Sequence, residues 1–341
     1  MNPSPAVVAP LVLSLGDPAG VGPEIVIKAW EVLRESGPSF VVVGDQGALR
    51  DAGAPSLRVV RDPAEGAAAF SDALPLIDLS LSERAAPGEP TSRSAARVIA
   101  WIETATALAL SGAACGLVTA PIAKSLLYAA GFKFPGHTEF LGELAPPVDS
   151  GHGVGPVMML TARDLRVSLV TIHEPLAEVP GLLTVQKIVN AGLVTAAALR
   201  ADFGVERARV AVCGLNPHAG EDGALGREEV EIVAPAVAEL RARGVDATGP
   251  HPSDSLFHEE ARGRYDAALC LYHDQALIPV KMLDFWGGVN VTLGLPIVRT
   301  SPDHGTGFDI AGRGVAKPDS LIAAIRLAAA IAANRQKGLL G

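Results

Sequence analysis

The sequence predicts an α/β fold with two domains built around a largely parallel sheet, and three observations lead to this prediction. The 341 residues are enough for two domains and a substantial core. Short aliphatic runs alternate with longer Ala- and Leu-rich periodic segments, which is typical of β-α units. Several of the short runs are apolar throughout, as strands are when both faces of a parallel sheet are covered.

The short runs predict strands and the periodic segments predict helices. The helix that begins near Ser92 has a polar first residue, and Gly204 and Gly244 are natural stops for two others. Residues 61–90 and 143–156 are rich in Pro, Gly, Ser and acidic residues, which indicates irregular connections. The predicted strands include Leu11–Leu15, Phe40–Val43, Gly116–Thr119, Val157–Leu160, Val167–Ile172, Val210–Gly214, Ala267–Tyr272 and Val289–Leu293. The predicted helices include Pro23–Glu35, Ser92–Ser111, Val185–Phe203, Glu228–Arg243 and Leu321–Gln336.

Composition and charge exclude several classes of partner. The formal net charge is −9, from 28 Lys+Arg against 37 Asp+Glu, so we expect no broad basic face for nucleic acid or an anionic membrane. The three cysteines, Cys115, Cys213 and Cys270, are too few and too widely spaced for a disulfide scaffold. The N-terminal stretch has no basic segment before its apolar run, unlike a signal peptide. We therefore expect a cytoplasmic protein.

Three histidines, His173, His218 and His273, each come shortly after a predicted strand. If these strands are parallel, the three side chains emerge at the edge where open α/β sheets place ligands. Three imidazoles suit a divalent transition metal and leave coordination positions for substrate or water. The intervals of 45 and 55 residues match no compact zinc motif, so the prediction depends on position in the fold. The alternative is that each histidine is simply hydrogen-bonded at its strand end.

Two further segments favour anion binding. The segment GHTEF supplies an imidazole from His137, a hydroxyl from Thr138 and backbone N–H groups at a predicted helix start, which is favourable for phosphate. Farther along the chain, Lys281 adds a positive charge and Asn290 adds an amide. Arg299 adds a guanidinium that can bind an anion through two hydrogen bonds. The alternatives are a helix cap for the threonine and solvated surface positions for the two cations.

Glycine-rich turns lie near both ends of the chain. The turn GDPAGVGPE at 16–24 joins a strand to a helix, but it is neither a Walker loop nor a standard dinucleotide fingerprint. His304 lies in the turn-forming stretch DHGTG, which could approach a ligand. The sequence therefore does not support a standard dinucleotide-binding motif, and a nicotinamide site of a different architecture stays an alternative.

Taken together, the motifs resemble those of the 4-hydroxythreonine-4-phosphate dehydrogenases of vitamin B6 biosynthesis. The matching segments are GDPAGVGPEI at 16–25, VTAPIAK at 118–124, GHTEF at 136–140, VCGLNPHAGE at 212–221, YHDQ at 272–275 and GVNVTLGLPIVRTSPDHGT at 288–306. They cover nearly the whole chain in one order, which is more specific than any single motif. Ala276 after YHDQ and the HPS before Asp254 depart from the family pattern and put only the local shape in doubt.

The resemblance implies a reaction and its site. It implies oxidation of the C3 alcohol of 4-phosphooxy-L-threonine by NAD or NADP, then decarboxylation to 3-amino-2-oxopropyl phosphate. The implied ligands of a divalent metal, zinc, magnesium or cobalt, are His173, His218 and His273. The implied substrate contacts are His137, Thr138, Lys281, Asn290 and Arg299. A homodimer with a shared active site is also implied, so that His218 serves the partner's metal.

Two segments, GDPAGVGPEI at 16–25 and DHGTGFDIAGRGVAKP at 303–318, also resemble those of the isopropylmalate and isocitrate dehydrogenases. This weaker likeness implies the two-domain fold of those enzymes. It predicts a discontinuous first domain, 1–125 with 292–341, that holds the nicotinamide site, and a middle domain, 126–291, that holds the metal, the substrate residues and the dimer interface. The cofactor candidates are His304, Gly305, Thr306, Asp309 and Gly312.

Several questions stay open at the level of sequence. The general base could be Asp254, Asp274, Lys281 or a hydroxide on the metal, because geometry must decide. A paralogous dehydrogenase for another phosphorylated hydroxy acid or a cyclic diol acid would use the same machinery. A phosphate acyltransferase and a non-catalytic metabolite-binding protein are further alternatives.

Overall fold

The computed structural model describes residues 9–134, 136–145 and 153–340, and this part of the chain alternates strands with helices. The strands are β1 (Leu11–Ser14), β2 (Phe40–Gly44), β3 (Leu57–Val59), β4 (Leu74–Asp78), β5 (Leu117–Thr119), β6 (Val157–Ala162), β7 (Leu165–Leu169), β8 (Arg209–Cys213), β9 (Asp246–His251), β10 (Ala267–Cys270), β11 (Val289–Leu293) and β12 (Arg299–Pro302). The α-helices are α1 (Gly22–Leu33), α2 (Gln46–Asp51), α3 (Pro63–Ala69), α4 (Ala95–Leu110), α5 (Lys124–Ala129), α6 (His137–Leu144), α7 (Val179–Leu182), α8 (Val185–Ala201), α9 (Ala234–Ala242), α10 (Ser253–Leu256), α11 (Glu259–Arg262), α12 (His273–Leu283) and α13 (Asp319–Leu340). A 3₁₀ segment, Ser92–Ser94, a turn, Pro217–Gly223, and a π-helical segment, Glu229–Val233, complete these elements.

The chain forms two compact units. The first contains Met1–Ala145 and Pro296–Ala332, and the second contains Pro146–Leu295 and Ala333–Gly341. Compared with the predicted division, residues 126–145 join the first unit, and 292–295 and 333–341 join the second. The assignment of the cofactor to one domain and the metal to the other stays a prediction.

The first unit has strands in the order β3-β4-β2-β1-β5-β12, and all of these neighbours pair in parallel. Its central strands, β1 and β2, are fully buried, and their residues are apolar on both faces except for Ser14. Trp30 and Trp101 are completely buried against this sheet's core. The Trp30 indole donates a hydrogen bond of 2.7 Å to the Phe70 carbonyl, so its one polar group is satisfied.

The second unit has strands in the order β11-β6-β7-β10-β8-β9. Strand β10 is parallel to both β7 and β8, and β9 is parallel to β8, whereas β6 runs antiparallel to β11 and β7. The predicted α/β class with a largely parallel sheet is therefore confirmed. The apolar cluster under this sheet includes Leu160, Val167, Leu169, Cys213 and Cys270.

The structure adds elements that the sequence patterns did not predict. Strands β3 and β9 lie at the outer edges of their sheets, and their polar or Gly- and Pro-containing sequences give no apolar run. Strand β12 reads RTSP, which resembles a loop, yet all four residues are buried. The prediction of an irregular connection over 61–90 is wrong in part, because α3 and β4 form there. Among the described residues, no helix combines the length and apolarity needed to cross a membrane.

Candidate metal and anion sites

The three predicted metal-ligating histidines follow neighbouring strands of the second unit. Strands β7, β10 and β8 are adjacent and parallel, so their carboxyl ends meet at one sheet edge, as the sequence predicts. His173 follows β7, His273 is the first residue of α12 after β10, and His218 lies in Pro217–Gly223 after β8. The edge is the place where α/β sheets bind ligands.

Two of these histidines form a pair. The ring centroids of His173 and His273 lie 5.6 Å apart. His273 Nδ1 lies 2.7 Å from Asp274 Oδ1, and because a carboxylate only accepts, Nδ1 is the donor; in the neutral imidazole, Nε2 then has the lone pair. The pair lines a cavity of about 280 Å³ together with Glu174, Leu176 and Tyr272. Two imidazoles that line one cavity fit zinc or cobalt by ligand type.

His218 is placed differently. It is exposed and lies in a turn whose backbone is left-handed, with φ 52° at His218 itself. Among the residues that the structure describes, no group of three or more His, Cys, Asp or Glu side chains is arranged to hold a metal. One chain therefore pairs two of the predicted ligands without adding His218 to them, and the three-histidine site stays a prediction.

A buried glutamine ties these strand ends together. Gln275 Oε1 accepts a hydrogen bond of 2.7 Å from the Leu271 N–H, just before His273. Its Nε2 donates to the Gly214 carbonyl at 2.7 Å and to Ser253 Oγ at 2.8 Å. The ends of β10 and β8 and the start of α10 are thus joined through one side chain.

The first unit contains a separate cationic group, defined here as Arg299, His137 and Lys124. Arg299 opens β12 and is only 2% exposed, and its Nη2 donates to Thr119 Oγ1 at 2.7 Å. Burial lowers the pKa of Arg299 to about 10, partly offset by the nearby Glu139 carboxylate. The guanidinium therefore keeps its charge at neutral pH inside the protein.

His137 and Lys124 lie with that guanidinium at the start of α6. The residue His137 is half-buried, but its Nε2 atom is out of contact with water and has no hydrogen-bond partner among the described residues. Burial lowers the pKa of His137 well below its ordinary value, and the charges of Arg299 and Lys124 lower it further. A Cβ on Gly136, the residue that precedes α6, would lie 3.2 Å from Glu139 Oε2 and 3.3 Å from Lys124 Nζ. A neutral imidazole, two cations and one carboxylate therefore lie at a helix N-terminus, and the excess of positive charge there suits an anion.

The remaining substrate and base candidates are spread over both units. Thr138 is the second residue of α6 in the first unit. Lys281 lies in α12 of the second unit, with its Nζ 5.1 Å from the Phe285 ring centroid. Asn290 lies in β11, where its buried Oδ1 has no hydrogen-bond partner among the described residues. Asp254 is exposed in α10.

The cofactor candidates follow β12 and pack against the N-terminal glycine-rich turn of the same unit. The Val21 N–H donates to the Thr306 carbonyl at 2.8 Å, and a Cβ on Gly20 would lie 2.7 Å from that oxygen. His304 Nδ1 donates to the Gly305 carbonyl at 2.9 Å. Gly312 and Gly20 both line a cavity of about 160 Å³, whose glycine-lined wall fits a close approach of backbone to a ligand. Asp309 lies in the same segment.

Sequence reasoning missed several residues that complete these sites. Lys124 and Thr119 lie in the segment VTAPIAK, and Gln275 lies in YHDQ, so the matching motifs contained a signal for all three. A fourth residue, Glu229, gave no signal because it lies in an ordinary acidic stretch outside those motifs. Its role depends on contacts that only the folded chain shows.

An α/β chain with paired imidazoles at a strand edge and a buried cationic group at a helix start defines a protein that binds small anionic molecules. The family model of the pyridoxal phosphate biosynthetic protein PdxA matches residues 37–328. The chain belongs to this family.

Individual relatives agree with this membership. The 4-hydroxythreonine-4-phosphate dehydrogenase of Caulobacter vibrioides is 64% identical over 327 residues, which is 96% of this chain and 98% of the relative. A crystal structure of the enzyme of that name from Klebsiella pneumoniae is 41% identical with a TM-score of 0.83, covering 96% of this chain and 99% of its own. A terephthalate 1,2-cis-dihydrodiol dehydrogenase from Burkholderia xenovorans is more distant, at 28% identity and a TM-score of 0.63, covering 95% and 98%.

Proposed function

We propose that this protein is a metal-dependent oxidoreductase of pyridoxal 5′-phosphate biosynthesis. It oxidises the C3 alcohol of 4-phosphooxy-L-threonine with NAD or NADP, and the product then loses carbon dioxide to give 3-amino-2-oxopropyl phosphate. Family membership and 64% identity to a relative named for this activity support the proposal. The structural observation that carries it is the pair His173 and His273 at the ends of neighbouring parallel strands.

The paired histidines would hold the divalent ion, zinc, cobalt or magnesium. Asp274 keeps the proton on His273 Nδ1, so that Nε2 presents its lone pair to the ion. When bound, the ion supplies Lewis-acid polarisation of the reacting oxygen. Gln275 keeps the end of β10 fixed to the end of β8, which holds the His273 backbone in place.

The cationic group would bind the phosphate of the substrate. Arg299 keeps its charge while buried, so its interaction with an anion is weakened little by water. His137 has a buried Nε2 available for one hydrogen bond, and the N–H groups at the start of α6 offer more. Lys124 adds a second positive charge, while Thr138 adds a hydroxyl. Lys281 and Asn290 are the predicted contacts from the second unit.

Oxidation removes a hydride to the nicotinamide and a proton to a base. Asp254, Asp274 and Lys281 are the candidate bases, and Asp274 also orients His273. The segment with His304, Gly305, Thr306, Asp309 and Gly312 would hold the nicotinamide dinucleotide, because glycines there allow close backbone approach.

A homodimer with shared active sites completes the proposal. Ile278, Met282, Phe285 and Trp286 are large apolar side chains between 53% and 82% exposed, in and just after α12 of the second unit. Such a patch marks an interaction surface, and a second copy would cover it. His218 of the partner subunit would then join the paired histidines of the first copy. Three free cysteines fit the reducing cytoplasm.

The direct test follows the absorbance of reduced nicotinamide. With 4-phosphooxy-L-threonine, NAD or NADP and a divalent ion, we expect turnover that a chelator abolishes. His273→Ala should abolish it too, whereas His258→Ala, which removes an exposed histidine at the start of α11, should not. Turnover that persists in the chelator-treated protein and in His273→Ala would reject the metal-dependent reaction.

One alternative substrate class has support of its own. The solved neighbour named for a dihydrodiol substrate shares 28% identity with this chain, so a cyclic diol acid is the second candidate. Both substrates are anionic, but the cationic group would bind a phosphate in the first case and a carboxylate in the second. A panel of phosphorylated hydroxy acids and cyclic diol carboxylates separates them by kcat/KM.

A further inference from the structure

The turn that carries His218, Pro217–Gly223, has an unusual backbone and is called the His218 turn below. Five successive residues, His218 to Asp222, have φ between 42° and 81°. Only one of the five, Gly220, is a glycine, and side chains disfavour this left-handed region. A run of this kind persists only where neighbouring groups hold it in place.

A buried carboxylate lies directly under the start of this turn. Glu229 is 2% exposed. Its Oε1 accepts hydrogen bonds from the Leu215 and Asn216 N–H groups, both at 2.7 Å. Its Oε2 accepts one from Asn216 Nδ2 at 3.0 Å. These three hydrogen-bonding groups are all donors, so both oxygens of the side chain act as acceptors, whereas a glutamine has one oxygen and an amide group that donates.

The turn closes onto the same carboxylate from its other side. A Cβ on Gly220 would lie 2.5 Å from Glu229 Oε2, and a Cβ on Gly214 would lie 3.3 Å from Oε1. Both positions are glycine, so the backbone reaches the carboxylate where a side chain would block it. Glu229 is also the first residue of the π-helical segment Glu229–Val233, a geometry found frequently at functional sites.

The segment that leads into the turn is held on both sides. Glu229 holds the N–H groups of Leu215 and Asn216, while Gln275 Nε2 donates to the Gly214 carbonyl at 2.7 Å. Gln275 also accepts from Leu271, two residues before His273. The backbone before His218 is therefore fixed relative to the backbone before His273.

We propose that Glu229 is a positioning residue that fixes the His218 turn, so that the exposed imidazole is presented to a metal ion in one preorganised orientation. This inference rests on the proposed role of His218 as a metal ligand. It assigns Glu229 no contact with the metal or the substrate, and its effect passes through the backbone of 215–220.

The test is titration of the purified full-length protein with Co²⁺, read by visible absorption and calorimetry. We expect Glu229→Gln to weaken Co²⁺ binding by about tenfold or more, as loss of a group that orients a ligand does. Glu231→Gln is the matched control, because Glu231 lies in the same π-helical segment but is exposed and pairs with Arg227. It should leave Co²⁺ affinity unchanged.

A positioning role differs from general damage in one further readout. Saturating Co²⁺ should restore turnover to Glu229→Gln, because the ligand is still present, but not to His218→Ala. Gly220→Ala approaches the same contact from the turn, and should weaken Co²⁺ binding even if Glu229→Gln does not fold.

The outcomes separate the inference from the proposed function. If His218→Ala binds Co²⁺ like the unchanged protein, the assignment of His218 fails, and the inference fails with it. If His218→Ala loses affinity while folded Glu229→Gln and Gly220→Ala bind normally, the proposed function stands and the positioning role of Glu229 is overturned.

Discussion

The cationic group of the first unit and the histidine pair of the second are prepared for their ligands to different degrees. Arg299 is 2% exposed and donates a hydrogen bond to Thr119, so the guanidinium of the proposed anion site is held in place without a ligand. His173 and His273 instead face an open cavity of about 280 Å³, beside an Asp274 side chain that is 74% exposed. In the proposed function, the first site is therefore largely formed by this chain's own side chains, whereas the second would be completed by a metal and a third ligand.

Removal of the buried guanidinium should produce the largest effect. Arg299→Met removes a bidentate donor to the phosphate, and we expect kcat/KM to fall about a thousandfold. The free energy of unfolding should fall by about 1–3 kcal/mol, because the buried Thr119 hydroxyl loses its donor and the Glu139 carboxylate loses a neighbouring positive charge. Arg326→Met, which removes an exposed arginine from α13, is the control for kinetics. A folded Arg299→Met protein with normal KM would show that the phosphate binds elsewhere.

Loss of the carboxylate beside the histidine pair should come next. Asp274→Asn keeps the size of the side chain but weakens the hydrogen bond that fixes His273 as the Nδ1–H tautomer. We expect Co²⁺ affinity to fall about 10- to 100-fold in calorimetry, with phosphate binding unaffected. An unchanged Co²⁺ affinity would remove Asp274 from the metal site.

The second cation should contribute less than the first. Lys124 is only half-buried, so water screens the interaction of its charge with an anion. Lys124→Ala should raise KM about tenfold without changing Co²⁺ affinity. Lys133→Ala removes an exposed lysine nearby in the chain and should leave KM unchanged. Equal kinetics of the two variants would exclude Lys124 from the site.

The smallest expected effect is on stability. Burial and two cations keep the pKa of His137 well below 6.5 in the folded protein, so the unfolded chain binds more protons below that pH. The free energy of unfolding therefore falls as the pH drops below 6.5. His137→Asn removes this titrating group. The free energy of unfolding of the variant should therefore decline less steeply between about pH 7 and 5, by at most about 1.4 kcal/mol per pH unit. The measurement is urea unfolding of both proteins at several pH values. An equal dependence of the free energy of unfolding on pH in the two proteins would contradict a buried neutral His137.

The sequence predicted the buried strands that consist of apolar residues, because a short apolar run indicates burial. The apolar run before His173 and the one before His273 predicted neighbouring strands, and the structure pairs β7 with β10. Strand β12 escaped prediction because its sequence, RTSP, is polar and becomes buried only through long-range contacts such as that of Arg299 with Thr119.

The site was predicted unevenly for the same reason. Residue types with obvious chemistry, such as His137 and Arg299, were proposed as site residues from their motifs and the family resemblance. Gln275 lies in the motif YHDQ, but its hydrogen bond to the Gly214 carbonyl spans 61 residues, and nothing in the local pattern of Glu229 marks its contact with the Leu215 N–H. In the proposed dimer, His218 meets the other two histidines only through a second copy, and the pattern of a single chain does not describe that contact.

Complementation between two inactive variants tests the shared metal site most directly. His218→Ala and His273→Ala should each be inactive alone in the nicotinamide absorbance assay. When the two are mixed and allowed to exchange subunits, a mixed dimer regains one site with all three histidines, and activity should return to about a quarter of the normal value. Full activity of His218→Ala alone, or no recovery in a mixture shown to have exchanged subunits, would contradict the account.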